Sequence, residues 1–436
     1  MDRYEEYKDS GVDWIGEIPA GWEVDKVKRF CSVIPGATPS SKIADYWNGD
    51  VPWITPADYS TEQHYVFGGS RFITEKGLNS CGVSLVPRGS VIVSNRAPIG
   101  QVAVAAEELC TNQGCKSLVP LSEKGNSEYL YWYLSVQSET LNSYGKGTTF
   151  LELSSNALAD FPVPSLAPSE QECIVGFLKR KTAEIDSLVE DCEREVELLR
   201  EYRKAVISEA VTKGLDPNAP MKDSGIDWIG KTPEGWQVAQ LGRLCETRNG
   251  LDYDATQVCG ASDEGSVLVI RSGNVSSGQL VLDDCLYIRK EVPDQLLLRK
   301  GDVVIVRTNG SKELVGKSAL VKTDGVGTLG AFMLLCRSRF GRYINWLLQS
   351  TMLTNYMGAF STSTVNQLSN GVLRRFHVPF PAEAVQEEIC NYLDAKTAEI
   401  DSLIADYQSM ADKLREYRKS LISEAVTGKF KVPGVA

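Results

Sequence analysis

The sequence predicts an α+β protein. Two strand-rich mixed α/β heads are joined by two long antiparallel coiled-coil helices, and the chain forms a pseudo-twofold internal repeat. Three observations carry this. Lys8-Asp9-Ser10-Gly11-Val12-Asp13-Trp14-Ile15-Gly16, with Pro19 and Gly21-Trp22, returns as Lys222-Asp223-Ser224-Gly225-Ile226-Asp227-Trp228-Ile229-Gly230, with Pro233 and Gly235-Trp236. Further on, Lys181–Leu188 returns as Lys396–Leu403, and Leu199–Lys204 as Leu414–Lys419, so an offset of 214 or 215 residues holds throughout. Between the matched segments the halves diverge almost completely.

The order of elements follows. Residues 1–165 form the first head, 166–214 a central helix, 215–220 a linker, 221–380 the second head and 381–428 a C-terminal helix. Gly89–Ser94 and Gly301–Val306 are β-branched runs after a glycine turn, as are Val102–Ala105 and Val267–Ile270 without the glycine, and all suit buried strands. Glu128–Leu134 and Tyr343–Leu348 predict short amphipathic helices in corresponding places. Phe161-Pro162-Val163-Pro164 and Phe376-His377-Val378-Pro379 are extended approaches, each followed by a Gln-Glu pair and a long helix.

The helices show heptads. Ile185, Cys192, Leu199 and Val206 form one series and Leu188, Glu195, Tyr202 and Glu209 its companion. The C-terminal copy has Ile400, Tyr407, Leu414 and Leu421, with Leu403, Met410, Tyr417 and Glu424. Four heptads free of proline and glycine predict a rod of roughly 45 Å. Two such seams in one chain are buried most simply against each other; an ordinary amphipathic helix packed on its own head is the plainer alternative. Gly214-Leu215-Asp216-Pro217 stops the first helix.

Composition narrows the class. The 436 residues suffice for two or three cored domains, and the acidic, polar start Met1–Glu6 does not resemble a secretory signal. No apolar run reaches the roughly 20 residues of a membrane helix. Eleven scattered cysteines without a Cys-x-x-Cys pair fit reduced thiols, and a cytoplasmic location is expected. With only His64 and His377 present, no zinc site or histidine chemistry is expected. The net charge of −11 opposes autonomous DNA binding. It is unevenly spread: residues 1–165 carry 13 basic and 20 acidic side chains, residues 221–380 carry 18 and 15.

Catalytic signatures are missing from the sequence. It has no phosphate loop, no Gly-x-Gly-x-x-Gly turn, no methyltransferase Asn-Pro-Pro-Tyr segment and no spaced nuclease carboxylates. A non-enzyme without catalytic residues or metal ligands is expected. What remains are polar loops at strand ends. In the first head these hold Thr38, Ser40, Lys42, Ser94, Asn95, Arg96, Asn112, Gln113, Lys146, Thr148 and Thr149. In the second they hold Arg271, Ser272, Asn274, Arg307, Thr308, Asn309, Ser311, Lys312, Thr362, Ser363 and Asn366. Arg suits guanine, Asn and Gln suit adenine, and Ser and Thr hold phosphates. Turn formation uses the same residues, so both roles stay open. The tryptophans Trp14, Trp22, Trp228 and Trp236 also have two readings: a packing clasp on the helices, which is favoured, or a docking surface for a partner present twice.

These segments together resemble the specificity subunit of type I restriction-modification systems. The resemblance rests on the duplicated Lys-Asp-Ser-Gly…Gly-Trp segment, Gly36-Ala37-Thr38-Pro39-Ser40, Tyr46-Trp47-Asn48-Gly49, Trp53-Ile54-Thr55, the glycine-led strands, and the Val-Pro…Gln-Glu-x-Ile approaches to the helices. It spans essentially the whole chain. The second head lacks the Thr-Pro-Ser and Trp-Ile-Thr segments, and Arg271-Ser272-Gly273-Asn274-Val275 stands where the family often has a similar loop. The resemblance implies two target-recognition domains, each taking half of a split, asymmetric double-stranded DNA site. It implies helices that set the gap and dock two modification (methyltransferase) subunits, with two restriction (translocase and nuclease) subunits joining. S-adenosylmethionine, ATP and Mg would belong to those partners and no cofactor to this chain. A coiled-coil adaptor binding proteins or glycans is the alternative from another class, and a self-sufficient restriction enzyme is disfavoured.

Overall fold

A computed structural model describes residues 2–60, 63–121, 126–147, 151–311, 314–360 and 367–435. The chain forms two units, Met1–Asp191 with Met410–Ala436, and Cys192–Ser409. Two long helices, Pro168–Lys213 and Glu383–Val426, run on from the Pro162–Ser165 and His377–Phe380 strands. Each helix gives one end to each unit, so a unit holds one head and a stretch of both helices.

The helices pair antiparallel within each unit. In the first, Phe177 meets Phe430 with ring centroids 5.8 Å apart, and Asp186 meets Arg418 at 2.7 Å. In the second, Arg203 meets Asp401 at 2.9 Å. The two ion pairs are copies at an offset of 215 residues. Arg203, 12% exposed, also donates to Gln349 Oε1 and Ser277 O, so every face of its guanidinium has a partner.

One series of the expected seam is turned inward and its companion is exposed. Ile185, Cys192, Ile400 and Leu421 are buried, with Leu199, Val206, Tyr407 and Leu414 half-buried. Leu188, Tyr202, Leu403, Met410 and Tyr417 are instead 42–52% exposed. The inward companions lie one residue later: Val189, Val196, Arg203 and Ala210, and Ile404, Ala411, Arg418 and Ala425. A heptad alternates steps of three and four, and the one arginine in each copy of the second series, Arg203 and Arg418, disguised it. Arg203 and Arg418 are tolerated there because each has an aspartate on the other helix.

The repeated Asp-Ser-Gly segment is a structural hairpin. Tyr7–Asp9 pairs with Glu17–Pro19, and Met221–Asp223 with Lys231–Pro233. Asp9 and Asp223 each accept from the glycine amide two residues on, at 2.9 Å. Trp22 and Trp236 are buried, each beside the glycine that ends a long helix. Gly428 (φ +70°) lies under Trp22 and Pro19, and Gly214 (φ +78°) under Trp236. Tyr129 donates to Val426 O at 2.9 Å and Tyr343 to Val211 O at 3.4 Å, tying each head to the last turn of the helix in its unit. Trp14 stacks on Phe161, and Trp228 donates to His377 O at 3.1 Å. The tryptophans are therefore clasps, although Trp14 stays 38% exposed.

Each head is built on a sheet buried on both faces. In the first, the order is Cys31–Pro35, Cys115–Pro120, Val91–Ser94, Val102–Ala105, Tyr65–Val66. Val91, Val93, Val102 and Val104 face the helical core, while Ile92, Ala103 and Ala105 face the other side, the period-two alternation of a strand. The second head repeats this with Glu246–Asn249, Met333–Arg337, Val303–Val306 and Ser318–Leu320. A second sheet in each head contains one parallel pair, Trp53-Ile54 with Cys110-Thr111, and Val269-Ile270 with Thr328-Leu329. Ser127–Ser135 and Gly341–Gln349 are the expected short helices. All eleven cysteines are free thiols. Among the described residues no helix is long and apolar enough to cross a membrane.

A polar cluster ties the first head to the central helix. Glu128 lies 2.7 Å from His64 Nε2, 2.8 Å from the Tyr65 hydroxyl and 3.1 Å from Lys179 Nζ. Burial alone would raise the Glu128 pKa, but the hydrogen bonds from His64, Tyr65 and Lys179 outweigh it and hold the carboxyl at about 2. A depressed folded-state pKa stabilises fully above the ordinary carboxylate value and is lost as pH falls through the folded one. Between about pH 4.5 and 2 the parent chain should therefore lose Tm faster than Glu128→Gln; parallel melting curves across that window would refute the assignment. The seam makes a second prediction. Ile400→Asp, at a 2% exposed site, should cost about 3 kcal/mol or more, and Leu403→Asp, at a 42% exposed site, under about 0.5 kcal/mol in urea unfolding.

Candidate nucleic-acid interface

The strand-end loops of each head are tied to one another by backbone bonds. In the first head, Ala37 N donates to Thr111 O at 3.0 Å, Asn95 N to Gly114 O at 2.9 Å, and Leu153 N to Asn95 O at 2.9 Å. Lys146 and Glu152 exchange two backbone bonds of 3.0 Å. Loops 36–42, 95–98 and 112–114, with Lys146 and Glu152, thus converge at one end of the sheet. In the second head, Arg307 N donates to Phe332 O at 2.9 Å, Leu368 N to Arg307 O at 2.8 Å, and Gly250 N to Met333 O at 3.0 Å. Gly330 N donates to Ile270 O at 3.0 Å, which brings in the Arg271 loop.

The two constructions match slot by slot. Ser94 faces Cys115 in one sheet as Val306 faces Met333 in the other, so Asn95 corresponds to Arg307 and Gly114 to Phe332. Glu152 and Gln367 occupy the same bridge position, opposite Arg96 and Thr308 respectively. Gly36 and Gly250 allow the same close approach: a Cβ would lie 2.0 Å from Asn112 O in one head and 2.1 Å from Gly330 O in the other. Thr55 with Asp58, and Arg271 with Asn274, close the same one-turn capping box after the strands ending at Ile54 and Ile270.

The expected contact residues divide by exposure. Thr38, Ser40, Lys42, Arg96, Gln113, Lys146 and Ser311 are exposed, and Ser272, Thr308 and Asn309 half-exposed. Thr38 Oγ1 is hydrogen-bonded to Gln113 Oε1 across two loops. Arg96 pairs with Glu152 at 3.1 Å, Arg271 lies 3.5 Å from Asp284, and the Arg307 guanidinium meets the Gln367 amide oxygen at 2.7 and 3.1 Å when that oxygen is turned toward it. Three residues are corrected to scaffold. Ser94, fully buried, holds its turn by donating to Pro98 O at 2.7 Å and accepting from Gln101 N at 2.8 Å. Asn95, also fully buried, donates to Glu152 at 3.1 Å. Asn274, 3% exposed, accepts from Arg271 N and donates to Val281 O and Asp284 O. Asn112 is half-buried and its side chain accepts from Gly114 N at 2.9 Å, a turn role. Thr148, Thr149, Lys312, Thr362, Ser363 and Asn366 lie outside the described residues.

Several residues escaped the sequence reading. Glu152 and Gln367 sit at the same 215-residue offset as the helices, each followed by Leu-Ser, a signal that was legible. Lys116, 6% exposed, lies on the strand beside Asn95, and burial holds its ammonium below the ordinary lysine range while Glu152 pulls the other way. Phe332 is 68% exposed among polar loops, and no periodicity marks such a residue.

Two unlike heads presenting the same cluster of polar loops define a two-headed recognition module. Comparison with known proteins specifies it further. Residues 19–198 match the family described as the type I restriction modification DNA specificity domain. The chain is 35% identical over 243 residues to the MjaIX type I restriction enzyme specificity subunit of Methanocaldococcus jannaschii, covering 54% of each chain, so this match spans about half of that relative. It is 22% identical over 433 residues to the MjaVIII specificity subunit of the same organism, covering 95% of this chain and 94% of the other. A solved chain from work on complex assembly and conformational transition of the type I R-M system superposes with a TM-score of 0.71 at 14% identity, covering 94% of this chain and 98% of that one. Residues 19–198 thus carry a type I restriction modification DNA specificity domain, and the chain as a whole is similar to the specificity subunits of type I restriction-modification systems.

The close approach of the loops makes a prediction. Gly36→Ala should open the first loop cluster alone and Gly250→Ala the second alone, each costing about 2 kcal/mol or more through backbone displacement. Hydrogen exchange should then lose protection at residues 111–115 in one variant and 328–333 in the other. Unchanged protection in both would refute the shared construction.

Proposed function

We propose that this chain reads a split, asymmetric double-stranded DNA site, each head taking one half through its converged loops. The single observation that carries this is the matched loop scaffold with unlike exposed contents: Arg96 and Gln113 stand in one head where Thr308 and Ala331 stand in the other. A backbone frame that stays constant while its side chains change suits recognition of two different short sequences. The chain is the non-catalytic member of its complex. It docks two methyltransferase subunits, which bind S-adenosylmethionine and flip the target adenine, and two restriction subunits that use ATP and Mg join for cleavage.

Two features support partner docking. The net charge of −11 leaves the chain poorly matched to phosphate, so partners supply the positive surface around the duplex. Leu188, Tyr202, Leu403, Met410 and Tyr417 form exposed apolar positions that recur along both long helices, suited to the apolar face of another helix. Helix length in turn sets the number of base pairs between the two half-sites.

Methylome sequencing of a host expressing this chain with its methyltransferase tests the reading. A bipartite adenine-methylated motif is expected, and exchanging residues 32–160 for another head should change one half only. Seven residues inserted into both long helices should lengthen the gap by about three base pairs. An unchanged motif after head exchange would refute DNA reading. A protein-binding adaptor would yield no motif and no salt-dependent DNA affinity.

A further inference from the structure

We infer that Phe332 is a specificity residue of the second head, making apolar contact with the 5-methyl group of a thymine in the second half-site. This rests on the DNA-reading function proposed above. Phe332 is 68% exposed, although phenylalanine is ordinarily a core residue. Its backbone is fixed: its carbonyl accepts from Arg307 N at 2.9 Å and Thr308 N at 3.3 Å, and Met333 N closes a turn on Gly330 O at 2.9 Å. The ring therefore projects from an ordered strand end, so little conformational freedom is lost when it meets a ligand.

The matching slot shows that the ring is an addition rather than scaffold. Gly114 occupies it in the first head, with the same carbonyl accepting from Asn95 N at 2.9 Å and no side chain at all. The segment bonded to the Phe332 carbonyl is polar, running from Arg307 and Thr308 into Asn309 and Ser311. Those groups suit base edges and phosphate, whereas the ring suits the one apolar group that B-DNA displays in its major groove, the thymine methyl. The first head, with glycine in the slot, lacks this means of selecting thymine.

The test uses the chain assembled with its methyltransferase, so that the protein measured is the working complex. Phe332→Ala removes an exposed ring and should leave Tm unchanged. Its methylome should relax one position of the second half-motif from thymine to two or more bases, with the first half intact. Uracil in place of that thymine should weaken binding by the parent complex about fourfold, the effect of one methyl group, and leave the Phe332→Ala complex unaffected. If exchanging the whole second head alters the motif while Phe332→Ala and uracil do not, the ring contact is overturned and DNA reading stands. If the head exchange also leaves the motif unchanged, both fall. A ring wedged between base steps would show as loss of affinity in Phe332→Ala with equal tolerance of thymine and uracil, which also overturns the methyl contact.

Discussion

A helix of more than forty residues with an apolar stripe along one side is unstable in water unless something covers the stripe. In this chain the cover is a stretch of a second such helix, met antiparallel in each unit, and each head is mounted on the pairing within its own unit. Register is held by Arg203 with Asp401 and by Asp186 with Arg418. A slip of one turn would leave Arg203, 12% exposed, without its carboxylate, and an uncompensated charge at a half-buried seam is strongly unfavourable. Apolar contact makes the pairing stable, and the ion pairs make it singular.

Upon that pairing stand two heads whose loops are connected through backbone amides and carbonyls. Backbone bonds do not depend on side-chain identity, so the loops change composition without losing their positions. Gly36 and Gly250 are the exceptions, since any Cβ would strike the neighbouring loop. Glu152 and Gln367 show how far the freedom extends: one slot holds a carboxylate for Asn95 and Arg96, the other an amide beside Arg307.

Much of this was legible in the sequence. The duplicated segments announced the repeat, the heptads announced the helices, and β-branched runs after glycine announced the central strands. The seam was half legible, because burial at Arg203 and Arg418 depends on aspartates that meet them only in three dimensions. The site was legible as loops but not as contacts. Ser94, Asn95 and Asn274 have residue types that suit bases, yet burial makes them internal struts. Exposure follows from which strand end faces the core, and strand order in these sheets is set by pairings between residues far apart in sequence.

The first unit is assembled from chain segments more than two hundred residues apart, since Met410–Ala436 completes what Met1–Asp191 begins. During synthesis the first head must therefore wait, its helix stripe and the underside of Trp22 uncovered, until Met410–Ala436 leaves the ribosome. The second unit, contiguous from Cys192 to Ser409, has no such delay. Chaperone demand and proteolytic vulnerability in the nascent protein should accordingly fall on the half that is translated first.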